Sequence, residues 1–309
     1  MKPFTHHRKH SVAALGEAKL IASIRQWLGS ANPPSPAGIG DDCAVLPTAS
    51  RLVTVDPVVF GRHFDHHVAP REVGAKLLKR NLSDIAAMGG KPTVAVIGLL
   101  LSADLKREWL EAFYRGLAQS ARHYGVSVVG GDVAQCGGQR TFSAHLTLLG
   151  NPAGRRVLTR GGASIGDYLY VTGVLGDSLA TKHHYKFEPR LAAGAWLAGR
   201  KEVTAMMDLS DGLAKDVHAL EPKGGEASLY AAALPVRRGV KLKAALTDGE
   251  DYELLLAVTP TVDLWRFELS FFRAFPHLPL TRIGRLTRRG KPDPGAIKLG
   301  HYHGYAHLG

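Results

Sequence analysis

Helical and strand-like segments alternate in both halves of this chain, and this alternation restricts its fold more than any other feature. The first half carries apolar residues at helical spacing in three segments and strand-like apolar runs in four others. The predicted helices span 12–28, 70–88 and 105–124, and the predicted strands span 51–60, 93–101, 126–130 and 141–149. Pro57 lies inside the first strand, which favours an edge strand or a bulge there.

The second half repeats the same mixture after a loop over 150–156 that is rich in glycine and arginine. The predicted strands span 167–173 and 252–258, and the predicted helices span 189–199, 211–220 and 261–274. We therefore expect an α/β (α+β) fold with two domains, residues 1–150 and 151–309.

Composition excludes several classes of protein. The longest apolar run, 93–101, is far shorter than the ~20 residues that a membrane-spanning helix needs. The net charge of +12 is shared equally by the two halves, so no basic tail or domain predicts a nucleic-acid partner, although a weak attraction for anions stays open. The N-terminus has no signal-peptide pattern, and two cysteines, Cys43 and Cys136, are too few for a disulfide framework. We expect a cytoplasmic protein.

Aspartates in glycine- and serine-rich settings are the main chemical signal. They occur in the segments 38–42, 55–57, 81–84, 130–132, 208–212 and 248–251. Mg²⁺ prefers carboxylate oxygens and commonly links them to substrate phosphates. Glycine lets the backbone approach a ligand closely. The combination predicts a magnesium–nucleotide site built from loops.

Each aspartate motif also has a purely structural interpretation. Asp41-Asp42 and Asp132 are compatible with turns. Asp84 follows Arg80 by four residues, the spacing of an ion pair on a helix surface. One residue of 208–211 is compatible with a helix N-cap. These alternatives stay open at the level of the sequence.

Several common catalytic motifs are missing or out of context. Gly90-Lys91 and Gly290-Lys291 are both followed by proline, which excludes a P-loop. The string Gly-x-Ser-x-Gly occurs around Ser164, but a predicted strand follows it where a nucleophile elbow requires a helix. We therefore expect a turn at Ser164.

Taken together, the motifs resemble the thiamine-monophosphate kinase family, within the wider superfamily of aminoimidazole ribonucleotide synthetase-like ATP-dependent enzymes. The resemblance rests on GIGDDCAVL (38–46), GRHFD (61–65), NLSDIAAMGGKP (81–92), VVGGD (128–132), LTRGGASIGDYLYVTGVLGDS (158–178), MDLSDGL (207–213), DGEDYEL (248–254) and GYAH (304–307). The motifs occur in the order of the family and cover nearly the whole chain.

This resemblance implies that the chain transfers the γ-phosphoryl group of ATP to thiamine phosphate, with Mg²⁺ as cofactor. The N-terminal domain would bind ATP and Mg²⁺ and form a homodimer, and the C-terminal domain would complete the substrate site. The acceptor is a phosphate monoester whose second pKa is about 6, so it is already nucleophilic near neutral pH. The apparent lack of a general base in the sequence agrees with such a reaction.

The resemblance also assigns roles to individual residues. The metal ligands would be Asp42, Thr54, Val55, Asp56, Asp84, Asp132, Asp208 and Asp211. The ATP contacts would be Tyr114, Gly131, Asp132, Arg160 and Ser210. The substrate contacts would be His63, Glu250 and Tyr302, with Glu250 facing the thiazolium cation and Tyr302 stacking on a ring. Asp211 and Arg160 would be the catalytic residues.

The chain departs from the family pattern at several points, two of them in predicted site segments. Val133-Ala134-Gln135 stands where the family usually has hydroxyl-bearing and basic residues, and Val55-Asp56-Pro57 replaces a threonine-containing motif. These departures keep two alternatives open. One is a related ATP-dependent enzyme that acts on another small substrate, and the other is a non-catalytic nucleotide-binding paralogue.

Overall fold

A computed structural model describes residues 40–46, 51–137 and 140–306, together with Lys19, Ala22 and Ser35. The predicted helix over 12–28 therefore lies outside the described residues, apart from two of them. No described helix is both long and apolar enough to cross a bilayer.

The first half of the chain forms a five-stranded sheet covered on one face by two helices. Its strands are β1 (Ala44–Leu46), β2 (Arg51–Val59), β3 (Gly90–Leu101), β4 (Ser127–Gln135) and β5 (Phe142–Pro152), in the spatial order β1-β2-β5-β3-β4. The β3–β4 pair is parallel and the other pairs are antiparallel. β1 pairs with β2 only at residues 51–53, so beyond them this edge of β2 has no described partner. Pro57 lies in that part of β2 and pairs with His145 of β5 on the other side, as the edge expected from the sequence requires.

The two helices of the first half are α1 (Pro70–Ala87) and α2 (Arg107–Tyr124). Pro70 occupies the first turn of α1, and α2 ends at Gly125, whose φ of 68° is left-handed. Gly74 of α1 faces the backbone of Phe113, and Gly116 of α2 faces the backbone of Arg71. The absence of side chains at both glycines lets the helices cross closely.

The second half forms another five-stranded sheet, with all strand pairs antiparallel. Its strands are β6 (Tyr168–Thr172), β7 (Val203–Asp208), β8 (Gly225–Leu229), β9 (Leu254–Val258) and β10 (Leu280–Arg288), in the order β7-β9-β6-β10-β8. The helices are α3 (His183–Lys186), α4 (Leu191–Ala198), α5 (Leu213–Asp216), α6 (Leu242–Thr247) and α7 (Leu264–Ala274).

The mixed α/β fold is confirmed, but parts of the second half differ from the sequence prediction. β7, β8 and β10 were missed. In β10 the pairing with β6 shifts between Arg282 and Gly284, which breaks the alternation that would reveal a strand. The predicted helix over 211–220 is a short α5 followed by a 3₁₀ turn, Val217–Leu220.

α1 contacts both halves of the chain. Its Leu77, Leu82 and Ile85 belong to the core of the first sheet, while Ala86 and Ala87 belong to a core that includes α4 and β9. A Cβ atom on Gly194 of α4 would lie 2.0 Å from the carbonyl oxygen of Ala86. α1 therefore fixes residues of the first half against residues of the second. The division into domains 1–150 and 151–309 stays a prediction.

The close crossing of α1 and α2 gives a stability prediction. Alanine normally stabilises a helix by about 1 kcal/mol relative to glycine. A Cβ atom on Gly116 would, however, lie 1.9 Å from the carbonyl oxygen of Arg71. We expect Gly116→Ala to lower the free energy of unfolding by about 1–3 kcal/mol through overpacking. Urea unfolding would measure the change.

The matched control is Gly154→Ala, because a Cβ atom there meets no heavy atom within 4 Å. We expect its effect to stay within about 0.5 kcal/mol. A Gly116→Ala protein as stable as this control would contradict close packing of the two helices.

Candidate functional site

A cavity of about 910 Å³ lies where α1 meets the loops of the second half. It is lined by residues from both halves, and eight of the predicted site residues are among them. These eight are Asp56, His63, Asp84, Arg160, Asp208, Ser210, Asp211 and Glu250. The fold thus gathers into one place motifs that are separated by almost two hundred residues along the chain.

A cluster of three carboxylates occupies one end of this region. Oxygen atoms of Asp42, Asp84 and Asp208 lie within 4.8 Å of one another. Asp42 precedes β1, Asp84 lies in the last turns of α1, and Asp208 ends β7. The hydroxyl of Thr54 donates a hydrogen bond to Asp84 at 2.5 Å, and that of Ser83 donates to Asp208 at 2.6 Å. The hydroxyls hold the two carboxylates in fixed orientations.

The cluster concentrates negative charge in a poorly hydrated environment. Burial raises the pKa of Asp84 and of Asp208 well above the ordinary value, and the neighbouring carboxylates raise both further. Arg160 offsets part of this charge, because its guanidinium donates two hydrogen bonds to Asp42, at 2.9 and 2.7 Å. Converging carboxylate oxygens are the donor set that a hard divalent cation requires, so the residues fit Mg²⁺.

The Ser210–Gly212 turn is organised by Asp216. One carboxylate oxygen of Asp216 accepts hydrogen bonds from the backbone amides of Ser210 and Asp211, each at 2.9 Å. The N-cap of α5 is Gly212, which has no side chain to cap the helix. The N-cap interpretation of 208–211 is therefore wrong. The carboxylate of Asp211 instead pairs with Lys215 at 2.6 Å.

A buried lysine organises the other end of the cavity. The ammonium of Lys76 is completely buried and donates hydrogen bonds to the carbonyl oxygen of His63 at 2.7 Å and to Glu250 at 2.9 Å. It also lies 2.9 Å from Nδ1 of His184. Burial lowers the pKa of Lys76 to about 8, although Glu250 acts in the opposite direction. Lys76 thereby ties two predicted substrate residues, His63 and Glu250, to α1.

Glu250 is held in an unusual conformation by these contacts. Its φ of 66° is left-handed, which is uncommon outside glycine and clusters at functional sites. Burial alone would raise the pKa of Glu250, but the hydrogen bond from His184 and the charges of Lys76 and Arg80 outweigh burial and lower it to about 2. Glu250 is therefore ionised across the physiological pH range.

Arg80 does not form the helix-surface ion pair with Asp84 that the sequence left open. It pairs with Asp56 instead, with donor–acceptor distances of 3.2 and 3.4 Å. Only 8% of its side chain is exposed. Asp84 bonds to Thr54, so the surface interpretation is wrong.

Seven predicted site residues do not line the cavity, although two of them, Asp42 and Thr54, bond to Arg160 and Asp84, which do. Val55 lies on the face of β2 opposite Thr54 and is 58% exposed. Gly131 and Asp132 lie on β4, whose residues are all exposed. Tyr114 packs against the first core, and Tyr302 packs against the core of the second sheet. Their assigned roles stay predictions.

Several residues in this region were not identified from the sequence. Tyr305 lines the cavity, and its ring lies against Arg62 with 5.5 Å between the guanidinium carbon and the ring centre. Its backbone amide donates a hydrogen bond to the backbone carbonyl oxygen of Asp211 at 2.8 Å. The terminal motif GYAH contained the signal for Tyr305. For Lys76 the signal was its spacing of four and eight residues from Arg80 and Asp84, which places all three on one helix face.

Comparisons with known proteins show which family this chain resembles. Residues 40–151 match the N-terminal domain of AIR synthase related proteins. The thiamine-monophosphate kinase of Salmonella typhimurium is 35% identical, with 89% of this chain and 91% of that protein covered. The enzyme of Escherichia coli K12 is 34% identical, with the same coverage.

A structure of AaThiL complexed with AMPPCP and TMP is 28% identical. It has a TM-score of 0.78 and covers 96% of this chain and 98% of its own. The family expected from the motifs is therefore confirmed. The chain belongs to the thiamine-monophosphate kinase family.

Proposed function

We propose that this protein transfers the γ-phosphoryl group of ATP to thiamine phosphate, forming thiamine diphosphate. The observation that supports this most is that one cavity is lined by Asp84, Asp208 and Arg160 at one end and by His63 and Glu250 at the other. Lys76 holds the last two in place from behind. The AaThiL structure with AMPPCP and TMP supports the same pair of ligands.

In this proposal catalysis depends mainly on charged groups. Asp42, Asp84 and Asp208 would hold Mg²⁺, which supplies neutralisation of the ATP phosphates. Arg160 would stabilise the negative charge that develops on the transferred group. Asp211 would orient the donor end through the turn that Asp216 fixes. No side chain needs to remove a proton from the acceptor, because its phosphate is mostly a dianion near pH 7.

At the acceptor end, the contacts of Glu250 modify its expected role. Lys76 and Arg80 already balance the charge of Glu250. We therefore propose that Glu250 accepts hydrogen bonds from the substrate, whereas the sequence suggested attraction of the thiazolium cation. For ring stacking we propose Tyr305, because it lines the cavity and Tyr302 does not.

The direct test of the proposed function is product analysis. We expect purified protein with ATP, Mg²⁺ and thiamine phosphate to form thiamine diphosphate, measured by chromatography. Asp42→Asn should reduce the rate by at least about tenfold, because it weakens both the cation site and the anchor of Arg160.

Two results would point elsewhere. ATP binding without any thiamine diphosphate would favour the non-catalytic alternative. ADP release stimulated by a different small acceptor, with none by thiamine phosphate, would favour the related-enzyme alternative. Either result would overturn the proposal.

The position of Tyr305 gives a second prediction. We expect Tyr305→Ala to raise KM for thiamine phosphate about five- to tenfold through loss of stacking. Tyr302→Ala is the matched control, and steady-state kinetics for both variants would measure the difference. A larger KM effect for the Tyr302 variant would restore the original assignment.

We also propose that two copies associate through the first sheet, as the family resemblance implies. Val55, Val96 and Leu100 are exposed although they lie in strands with buried neighbours, so the face away from the helices is apolar. β4 is an exposed edge, without a second strand partner among the described residues. An exposed apolar edge of this kind favours association. Gly131 and Asp132 would then lie at the interface.

This dimer gives a third prediction. We expect Val96→Glu to shift the protein from dimer to monomer in light scattering coupled to gel filtration, because a buried unpaired carboxylate disfavours the interface. Ile165→Glu is the control, since Ile165 is 44% exposed but lies in the second half. A monomeric wild-type protein, or equal masses for wild type and Val96→Glu, would contradict the proposal.

The cytoplasmic location remains a prediction.

A further inference from the structure

The guanidinium of Arg80 contains a donor group that the proposed mechanism has not yet used. Nε and one terminal nitrogen donate to Asp56, at 3.2 and 3.4 Å. The other terminal nitrogen, Nη1, is buried without a hydrogen-bond partner and lies 3.8 Å from Glu250, beyond hydrogen-bond distance. Buried donors without partners are rare in native proteins, and each such group calls for an explanation.

The surroundings of Arg80 hold this donor in place. Asp56 fixes the guanidinium from one side. Glu250 does not move closer to it, because Lys76 and His184 already bind that carboxylate. The unpartnered nitrogen therefore belongs to a rigid, permanently charged side chain that lines the cavity.

The location of Arg80 suggests what this donor binds. Through Asp56 it adjoins the carboxylate cluster, since Asp56 is among the charges that raise the pKa of Asp84. Through Glu250 it adjoins the acceptor end. In the proposed reaction two anions, the γ-phosphoryl group and the acceptor phosphate, must come together between these ends. A cation placed there reduces their repulsion.

We propose that Arg80 binds the phosphate group of the acceptor and thereby selects phosphorylated over unphosphorylated thiamine. This inference rests on the proposed function and adds a specificity-determining residue to it. Charge-assisted bonds from arginine to phosphate are strong and geometrically selective. Their benefit is restricted to acceptors that carry the phosphate, so thiamine itself gains nothing from Arg80.

The test compares the affinities of thiamine phosphate and thiamine, measured by calorimetry in the presence of Mg²⁺ and a non-hydrolysable ATP analogue. Arg80→Met would leave Asp56 unpaired, so the main variant is the double substitution Arg80→Met with Asp56→Asn. Asp56→Asn alone is its reference. Lys79→Met, which removes a neighbouring cation that does not line the cavity, is the charge control.

We expect the double variant to bind thiamine phosphate at least about tenfold more weakly than Asp56→Asn does, and thiamine equally well. Arg80→Lys should bind thiamine phosphate more tightly than the double variant and more weakly than the wild type. Lysine keeps the positive charge but lacks the two parallel N–H donors of the guanidinium. Lys79→Met should bind both ligands like the wild type.

Two results would overturn the inference. One is an unchanged ratio of the two affinities in the double variant, which includes an equal loss for both ligands. The other is a wild-type protein that binds no thiamine phosphate, which would also overturn the proposed function. If the wild type forms thiamine diphosphate but the affinity ratio is the same in the double variant and in Asp56→Asn, only the role of Arg80 is overturned.

Discussion

Electrostatic repulsion among buried carboxylates is the constraint on which this site depends. Asp42, Asp84 and Asp208 come from three distant segments and meet within 4.8 Å. Bringing like charges together at a buried position costs free energy unless a cation or a proton balances them. Arg160 offsets one carboxylate, and two hydroxyls orient the others. The proposed Mg²⁺ would balance the charge that Arg160 leaves over.

α1 contributes residues to both ends of the cavity. Lys76, Arg80 and Asp84 follow one another at intervals of four residues, so they lie on one helix face. Lys76 anchors Glu250, Arg80 is the proposed phosphate ligand, and Asp84 is a proposed metal ligand. The same helix packs against both sheets through Leu77 and Ala86. A small rotation of α1 would therefore disturb both ends of the cavity together.

The sequence predicted the aspartate cluster because each of its members lies in a short motif, rich in glycine or serine, that can be recognised along the chain. It could not predict that Arg80 would choose Asp56 over Asp84, since helix spacing is visible along the chain and a contact between β2 and α1 is not. The strand β10 was missed because a bulge hides its alternation. Tyr302 and Tyr305 are three residues apart, and only tertiary packing distinguishes the one beside the core from the one in the cavity.

The most direct measurement is the melting temperature of wild type and Asp84→Asn at pH 8, with and without Mg²⁺. Burial and the neighbouring carboxylates raise the pKa of Asp84. The folded state is therefore more stable while Asp84 is protonated, and this stability is lost as the pH rises through that pKa. We predict that Asp84→Asn melts above the wild type without Mg²⁺. Mg²⁺ should raise the melting temperature of the wild type much more than that of the variant. A variant that melts lower without Mg²⁺ and gains as much from it would contradict the account.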